Sequence, residues 1–467
     1  MKILNYDTES TGLEKPFEAP LQFAAKVYDA TGKELSAVNL RGRPPRHVLP
    51  GPGALVVTGQ RISTVMRQES SAYALALRIH GFFEQTGPAV VTGYNIIGYD
   101  EEILRHTFYA NLLQPYVTQF GGNERLDVLL AMKGAAICDP EAYDLPVNEK
   151  GKRSFKLEHL APAFGFEDHA AHDALGDVDA TMHVANTIRT RSPALWRATH
   201  ALRSKSAVDK LLASGQPAVK LDWNHRGDKA TVRVLLPICR DAEITTKWWC
   251  VNLAADPNRV IGIQPDQLVR SFKSSGGVTP IVGVSTNKMP LVFAKEDPAI
   301  AGLVVEFDSA LVEMLRRDGS LAANIRAASQ IIRDGYDEKI HVQDQLYSGG
   351  FFPAADDRAL FDAFHRADPA QKSEIIAAFH DQRARELGNL LMGSEWPAAM
   401  SPGDRTTYLD ELQYRMTAVD VPWMSIPKAL AEIESLRPAV GQTAAILDEY
   451  EAYLRAWSLR GASFAAE

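Results

Sequence analysis

Cysteine is scarce in this chain: among 467 residues only Cys138, Cys239 and Cys250 occur. Three thiols at irregular spacing exclude a disulfide framework and a cysteine-built zinc site, and they fit a reducing cytoplasm. Long apolar runs are missing as well. No stretch of about 18 consecutive apolar residues occurs, and the opening MKILNYDTES has no apolar segment after Lys2 of the kind that directs export. The expectation is a soluble, cytoplasmic protein with no membrane association. Internal repeats and low-complexity tracts are absent too. Positive charge is in deficit, with 50 Lys+Arg against 58 Asp+Glu giving −8. That sum measures solubility, whereas a polyanion responds to the local field in a groove.

What is present is an ordinary globular mixture, 46% hydrophobic and 23% charged, in a chain long enough for two or three cores. The positive charge is concentrated. Between Arg189 and Lys220 stand Arg189, Arg191, Arg197, Arg203, Lys205, Lys210 and Lys220 against the single acid Asp209. This run is either a solvated helix face with its linker or the lining of a channel.

The first part reads as α/β. KILNY (2–6), LQFAAKVYD (21–29) and AVVTGYN (89–95) are strand candidates. Helical patterns run from Glu101 through Asn111, from near Asp127, and through SFKLEHLAPAFG to a closing Gly165. The segment 173–191 forms the longest helix of this part and stops at Ser192-Pro193, which marks a boundary. From about 217 to 305, β-rich runs such as TVRVLLPI (231–238), KWWCVNL (247–253) and TPIVGV (279–284) alternate with turn residues, with a helix at PDQLVRSFK. Beyond about 310, helical periodicity dominates to the C-terminus.

Four acids and a histidine carry the chemistry. Asp7 and Glu9 are two apart on the first strand, so both carboxylates face one side. Asp100 follows a buried strand at the start of a helix, where a helix cap is the alternative role. His172 precedes Asp177, which opens the long helix. Singly, each has an ordinary structural explanation. Together they supply what phosphodiester hydrolysis requires. Carboxylates converging from separate elements hold hard divalent cations, and a histidine of unperturbed pKa about 6.5 takes a proton from the attacking water.

The order Asp7-x-Glu9, Asp100, His172-x(4)-Asp177 resembles the histidine-containing branch of the DEDD exonuclease superfamily. The flanks PGPGALVVTGQRIS, GYNIIGYDEEILRHTFYANLLQPY and SFKLEHLAPAFGFEDHAAHDALGDVDAT resemble the bacterial exodeoxyribonuclease I family, as do LVRSFKSSGG and DQLYSGGFF (344–352). The resemblance implies a ribonuclease-H-like exonuclease domain at 1–192, an SH3-like, mostly β domain at 193–345 and an all-helical C-terminal domain at 346–467. These would form a clamp around single-stranded DNA, degraded processively from the 3′ end to 5′-mononucleotides in DNA repair and recombination. It assigns Asp7, Glu9, Asp100 and Asp177 to two Mg²⁺ ions, with Mn²⁺ as a substitute, and makes His172 the general base. Glu9 also faces substrate. Lys156 stands where the family has a basic residue against the phosphate, keeping charge but losing the planar fork of arginine.

The same aligned stretch implies phosphate contacts from Arg105 and Lys133, and base stacking on Tyr116 and Phe120, whose alternative is ordinary packing. Of the adjacent Trp248 and Trp249, one can face the core and the other DNA or another domain. The implied partners are single-stranded DNA and the C-terminal tail of single-strand binding protein, with the enzyme a monomer. Two rivals remain. An oligoribonuclease or proofreading subunit is generally shorter and lacks the added domains. A binding module that has lost activity would lack one of the five site residues, and all five stand here.

Overall fold

The computed structural model describes residues 1–166, 173–224, 228–274, 278–439 and 441–460. Its first sheet has the order β3-β2-β1-β4-β5, with β1 Lys2–Ser10, β2 Pro20–Tyr28, β3 Glu34–Arg41, β4 Ala89–Gly93 and β5 Glu124–Asp127. β2 pairs antiparallel with β1 and β3, whereas β4 pairs parallel with β1 and β5. This is the mixed sheet of a ribonuclease-H-like fold. Alternation along β1 divides it chemically. Leu4 and Tyr6 are buried on one side, where Tyr6 meets Phe83 of helix Ala72–Thr86 edge-on at 5.4 Å. Asn5 faces the other side and donates to the Val178 carbonyl of helix Ala174–Arg191 at 2.6 Å. Asp7 and Glu9, in phase with Asn5, lie under the start of that helix.

β1 runs past the expected Tyr6 to Ser10, because pairing with β2 carries it through the two acids. No sequence pattern marks β3 or β5. β3 is an exposed edge with no clean alternation, and β5 is only four residues long. Helices Asp100–Ala110, Val128–Cys138, Leu157–Ala163 and Ala174–Arg191 lie within a few residues of the expected spans.

The expected SH3-like domain contains a five-stranded antiparallel sheet of order β10-β6-β7-β8-β9: β6 Ala218–Asn224, β7 Lys229–Arg240, β8 Lys247–Asn252, β9 Ile281–Ser285 and β10 Val292–Ala294. Helices Pro193–Leu202 and Lys205–Ala213 join the first sheet and one face of the second in a continuous core that includes Leu195, Val208, Leu221 and Trp248. The other face packs on helices Ser309–Arg317 and Leu321–Asp334 through Trp249, Val251, Leu315 and Ile325. The adjacent tryptophans are thus both buried, on opposite faces. Trp248 donates to Asp209 at 2.9 Å and Trp249 to Asp241 at 2.8 Å. Trp248 takes the inter-element option rather than the DNA one.

Between Arg358 and Arg460 the described elements are all helices. These helices bury Phe361, Phe364 and Leu387 with Tyr73 and Tyr109 of the first unit, and Tyr450 and Trp457 with Leu49 and Leu55. No helix among the described residues is long and apolar enough to cross a membrane.

Candidate active site

Three carboxylates converge where β1 meets helix Ala174–Arg191. Asp7 and Glu9 come from the strand. Asp177 comes from the first turn of the helix, its N–H bonded to the Asp173 carbonyl at 3.1 Å. One oxygen from each lies within 4.8 Å of the others. Asp100 stands beside them at the first residue of helix Asp100–Ala110, buried, its Oδ1 accepting from the Thr8 N–H of β1 at 3.0 Å. The group is therefore built from two strand positions and two helix starts.

How Asp100 reaches β1 follows from the turn before it. Gly93 ends β4 so close to its neighbours that an added Cβ would sit 2.3 Å from Ile96 Cγ2 and 2.5 Å from the Tyr6 carbonyl. No other residue fits there without displacing the strand. Asn95 then takes φ 61°, and its N–H and that of Ile97 both donate to Asp127 at 3.1 Å. Asp127 also caps helix Val128–Cys138 through the Leu129 and Leu130 N–H groups. Burial pushes its carboxyl up to about 6 against those four hydrogen bonds. Tyr99 completes the link, its hydroxyl 2.6 Å from both Ser10 Oγ and the Gly12 carbonyl.

The electrostatics call for a cation. Burial raises Asp7 well above the carboxylate range, and Asp100, Asp177, Glu9 and Asp173 raise it further. Glu9 is pushed up to about 7 by burial and then by Asp177 and Asp173, with Arg41 opposing. Asp100 is raised first by burial and also by Glu9. Carboxylates brought together this closely retain protons near neutrality unless positive charge is supplied. An all-oxygen donor set suits a hard divalent cation.

These acids form the floor of an open groove of about 1210 Å³. One wall is the segment 147–159, which carries the Val147–Arg153 bridge and reaches the second sheet through Arg153, paired with Asp228 and stacked on Trp223 at 4.7 Å. Lys156 lines this wall, largely exposed, 2.8 Å from Glu158. His159, not singled out from sequence, also lines it and lies 2.7 Å from Ser154 Oγ. Its signal was only its place inside the quoted SFKLEHL segment. His172 lies outside the described residues.

A second groove, about 1370 Å³, adjoins the first. The turn 95–99 serves both: Asn95 and Tyr99 face the carboxylates, Ile97 and Gly98 the second groove. Tyr116 and Phe120 lie in the second groove, and Phe351 stacks on both, at 5.3 Å and 6.2 Å, from a remote part of the chain. Phe120 and Phe351 are about half exposed. The same groove is lined by Arg203, Lys205, Arg240 and Lys288. Arg105 lines the same groove but is buried, held by Glu101 at 3.1 Å and Glu102 at 2.9 Å, with its guanidinium over Tyr116 at 5.6 Å. Lys133 is half-buried on helix Val128–Cys138 and is not among the described residues lining either groove.

Comparison with known proteins bears directly on this arrangement. The exodeoxyribonuclease I of Haemophilus influenzae is 30% identical over 414 residues, 82% of this chain and 84% of its own. This chain belongs to the exodeoxyribonuclease I family. The Escherichia coli exodeoxyribonuclease I is 26% identical over 422 residues, covering 87% of this chain and 88% of its own. The family model for the exonuclease I C-terminal domain matches residues 340–457. Among solved structures, a moderately thermophilic exonuclease I from Methylocaldum szegediense superposes with TM-score 0.84 at 26% identity, over 97% of this chain and 99% of that one. The E. coli exonuclease I in complex with a dT13 oligonucleotide gives 0.82 at 24% identity, over 97% and 98%. An ExoI/SSB-Ct complex gives 0.81 at 24%, over the same shares. Members of the family generally use divalent metal ions, and among the described residues Asp7, Glu9 and Asp177 form a group whose oxygens lie close enough to hold one.

Proposed function

We propose that this chain hydrolyses single-stranded DNA from its 3′ end, releasing 5′-mononucleotides one at a time. One observation carries the reading: the Asp7–Glu9–Asp177 group floors a groove that adjoins a second one lined by stacked rings and basic side chains. Substrate class and polarity rest on family membership, supported by the likeness to an exonuclease I holding dT13.

Two magnesium ions, with manganese as a substitute, would supply a nucleophilic water and stabilise the leaving oxygen. Asp7, Glu9 and Asp177 would hold them and Asp100 would complete the set. His172 takes a proton from the attacking water as its oxygen bonds to phosphorus and the P–O3′ bond breaks. The freed nucleotide keeps its 5′-phosphate and the strand a new 3′-hydroxyl. Lys156 neutralises the phosphate as a point charge. Tyr116 and Phe120, joined by Phe351, stack bases at roughly 1–3 kcal/mol each, an interaction that tolerates any sequence. Arg105 backs Tyr116, while Lys133 adds only to the general positive field. The domain division at 192/193 and 345/346 belongs to this reading. So do a cytoplasmic monomer, a role in DNA repair and recombination, and docking of the C-terminal tail of single-strand binding protein, as an ExoI/SSB-Ct complex suggests.

Digestion of 3′- and 5′-labelled single and double strands, with Mg²⁺ and with EDTA, tests this. The expected result is immediate mononucleotide release from the 3′ label on single strands only, abolished by EDTA. Release of the 5′ label first, or activity in EDTA, would overturn it.

A further inference from the structure

The helix that delivers Asp177 begins in an unusual way. Asp173 occupies its N-cap position, yet its carboxylate makes no cap hydrogen bond to the helix. An aspartate at that position ordinarily accepts a backbone N–H of the first turn. Here the side chain turns back onto the sheet instead. Its Oδ1 accepts from Gln22 Nε2 at 2.9 Å and from Arg41 Nη2 at 2.8 Å.

The two donors are placed by strand register. Glu9 of β1 lies opposite Gln22 of β2, and Gln22 lies opposite Arg41 of β3. The three side chains therefore form one cross-strand row on the face that carries the metal-binding acids. Gln22 is buried and its amide is further fixed by Asn39 Oδ1 at 2.9 Å. Around this row the helix lies close to β2 because the facing residues are small: Ala24 packs on Ala174 and Val178. Lys26 holds Asp179 at 2.6 Å and Asn5 holds the Val178 carbonyl. Asp177 sits between the Asp173 tether on one side and the Val178 and Asp179 tethers on the other. Arg41 also carries the positive charge that opposes the raised affinity of Glu9 for its proton.

We propose that Arg41, Gln22 and Asp173 are positioning residues for the reaction, setting the start of helix Ala174–Arg191 so that Asp177 meets Asp7 and Glu9 at metal-binding distance. The proposal rests on the metal reading of that carboxylate group. Groups that orient metal ligands without touching the metal typically change metal affinity or activity 10–100-fold, by roughly that factor, when removed. The Arg41 contact is a single Nη2–Oδ1 bond, so a lysine can restore it, which a bidentate site would not allow.

The test is a calorimetric titration of Mn²⁺ alone into the full chain, for wild type, Asp7→Asn, Arg41→Ala, Arg41→Lys and Asp173→Asn, with melting temperature and KM for an oligothymidylate measured on each. Asp7→Asn should abolish Mn²⁺ binding, and if it does not, the metal reading itself fails. Given that control, Arg41→Ala and Asp173→Asn should weaken Mn²⁺ binding about 10–100-fold with KM little changed, and Arg41→Lys should recover most of it. Wild-type Mn²⁺ affinity in both weakened variants would overturn the proposal. So would a raised KM with unchanged Mn²⁺ affinity, which would make Arg41 a DNA contact. Loss of Mn²⁺ affinity only in proportion to lost folded protein would reduce the row to a structural role, and Asp173→Asn, which keeps the volume and an acceptor for Gln22, guards against misreading that case.

Discussion

Asp7 and Glu9 share a face because a strand repeats every two residues, and that much is visible in the spacing D-x-E. The consequence for their ionisation is not, because it depends on burial and on acids from distant segments. With its pKa near 7 in the folded state, against 4.5 ordinarily, Glu9 holds a proton that the unfolded chain has already lost. Between those values the folded state binds more protons, so folding stability without metal falls as pH rises. The melting temperature of EDTA-treated protein is therefore expected to drop between about pH 5 and about pH 8, and added Mg²⁺ should stabilise most at the alkaline end. A flat profile would mean the acids are already neutralised by the protein. Asp7→Asn removes one of the repelling groups. It should abolish hydrolysis, largely spare DNA binding, and raise the metal-free melting temperature at about pH 8. An active Asp7→Asn enzyme would refute the assignment of Asp7 as a ligand.

Among the elements, helix Asp100–Ala110 has the most varied duties. Its first residue, Asp100, stands in the carboxylate group against β1, while the next two make ion pairs and hydrogen bonds away from it. Glu101 binds Arg125, Arg105 and Thr118, and Glu102 binds Arg105 and, at 2.6 Å, the Tyr347 hydroxyl. Three consecutive acids at a helix start look from sequence like a favourable end for the macrodipole. The structure gives each its own set of partners, with Arg105 shared by Glu101 and Glu102. Glu102→Ala should leave the Tyr347 hydroxyl held by Arg105 alone and Arg105 with one carboxylate, Glu101, at a cost of about 1–3 kcal/mol in urea unfolding. A change under about 0.5 kcal/mol would show the contact to be idle. Legibility varied by element for physical reasons. Long amphipathic helices announce themselves through many periodic positions, so their spans were close. β3, β5 and β10 are sheet edges, the last two very short, whose identity comes from the neighbour they pair with, and no local pattern marks that neighbour.

Over the whole molecule, the clamp expectation becomes a specific surface. Arg203 and Lys205, from the basic run 189–220, line the groove that also holds Tyr116, Phe120 and Phe351. Arg203 lies 3.3 Å from Glu124, which tempers its charge. Reversing both charges, Arg203→Glu with Lys205→Glu, should shorten processive runs and flatten their salt dependence while sparing cleavage of very short oligonucleotides. Unchanged run length at about 0.15 M salt would remove these residues from the DNA path.

The identities and order of the carboxylates, the sense of the long helices and the family were settled by sequence, because covalent spacing and periodicity are local properties. Folding alone decided which groups meet. It set Phe351 against Tyr116 and Phe120, buried both tryptophans on opposite faces, and engaged Arg105 with two glutamates. It also drew Asp173 away from its helix end to Gln22 and Arg41. Such contacts arise from strand register and helix docking across long separations, where a residue's partner is fixed by the packing of the whole chain rather than by its neighbours in sequence.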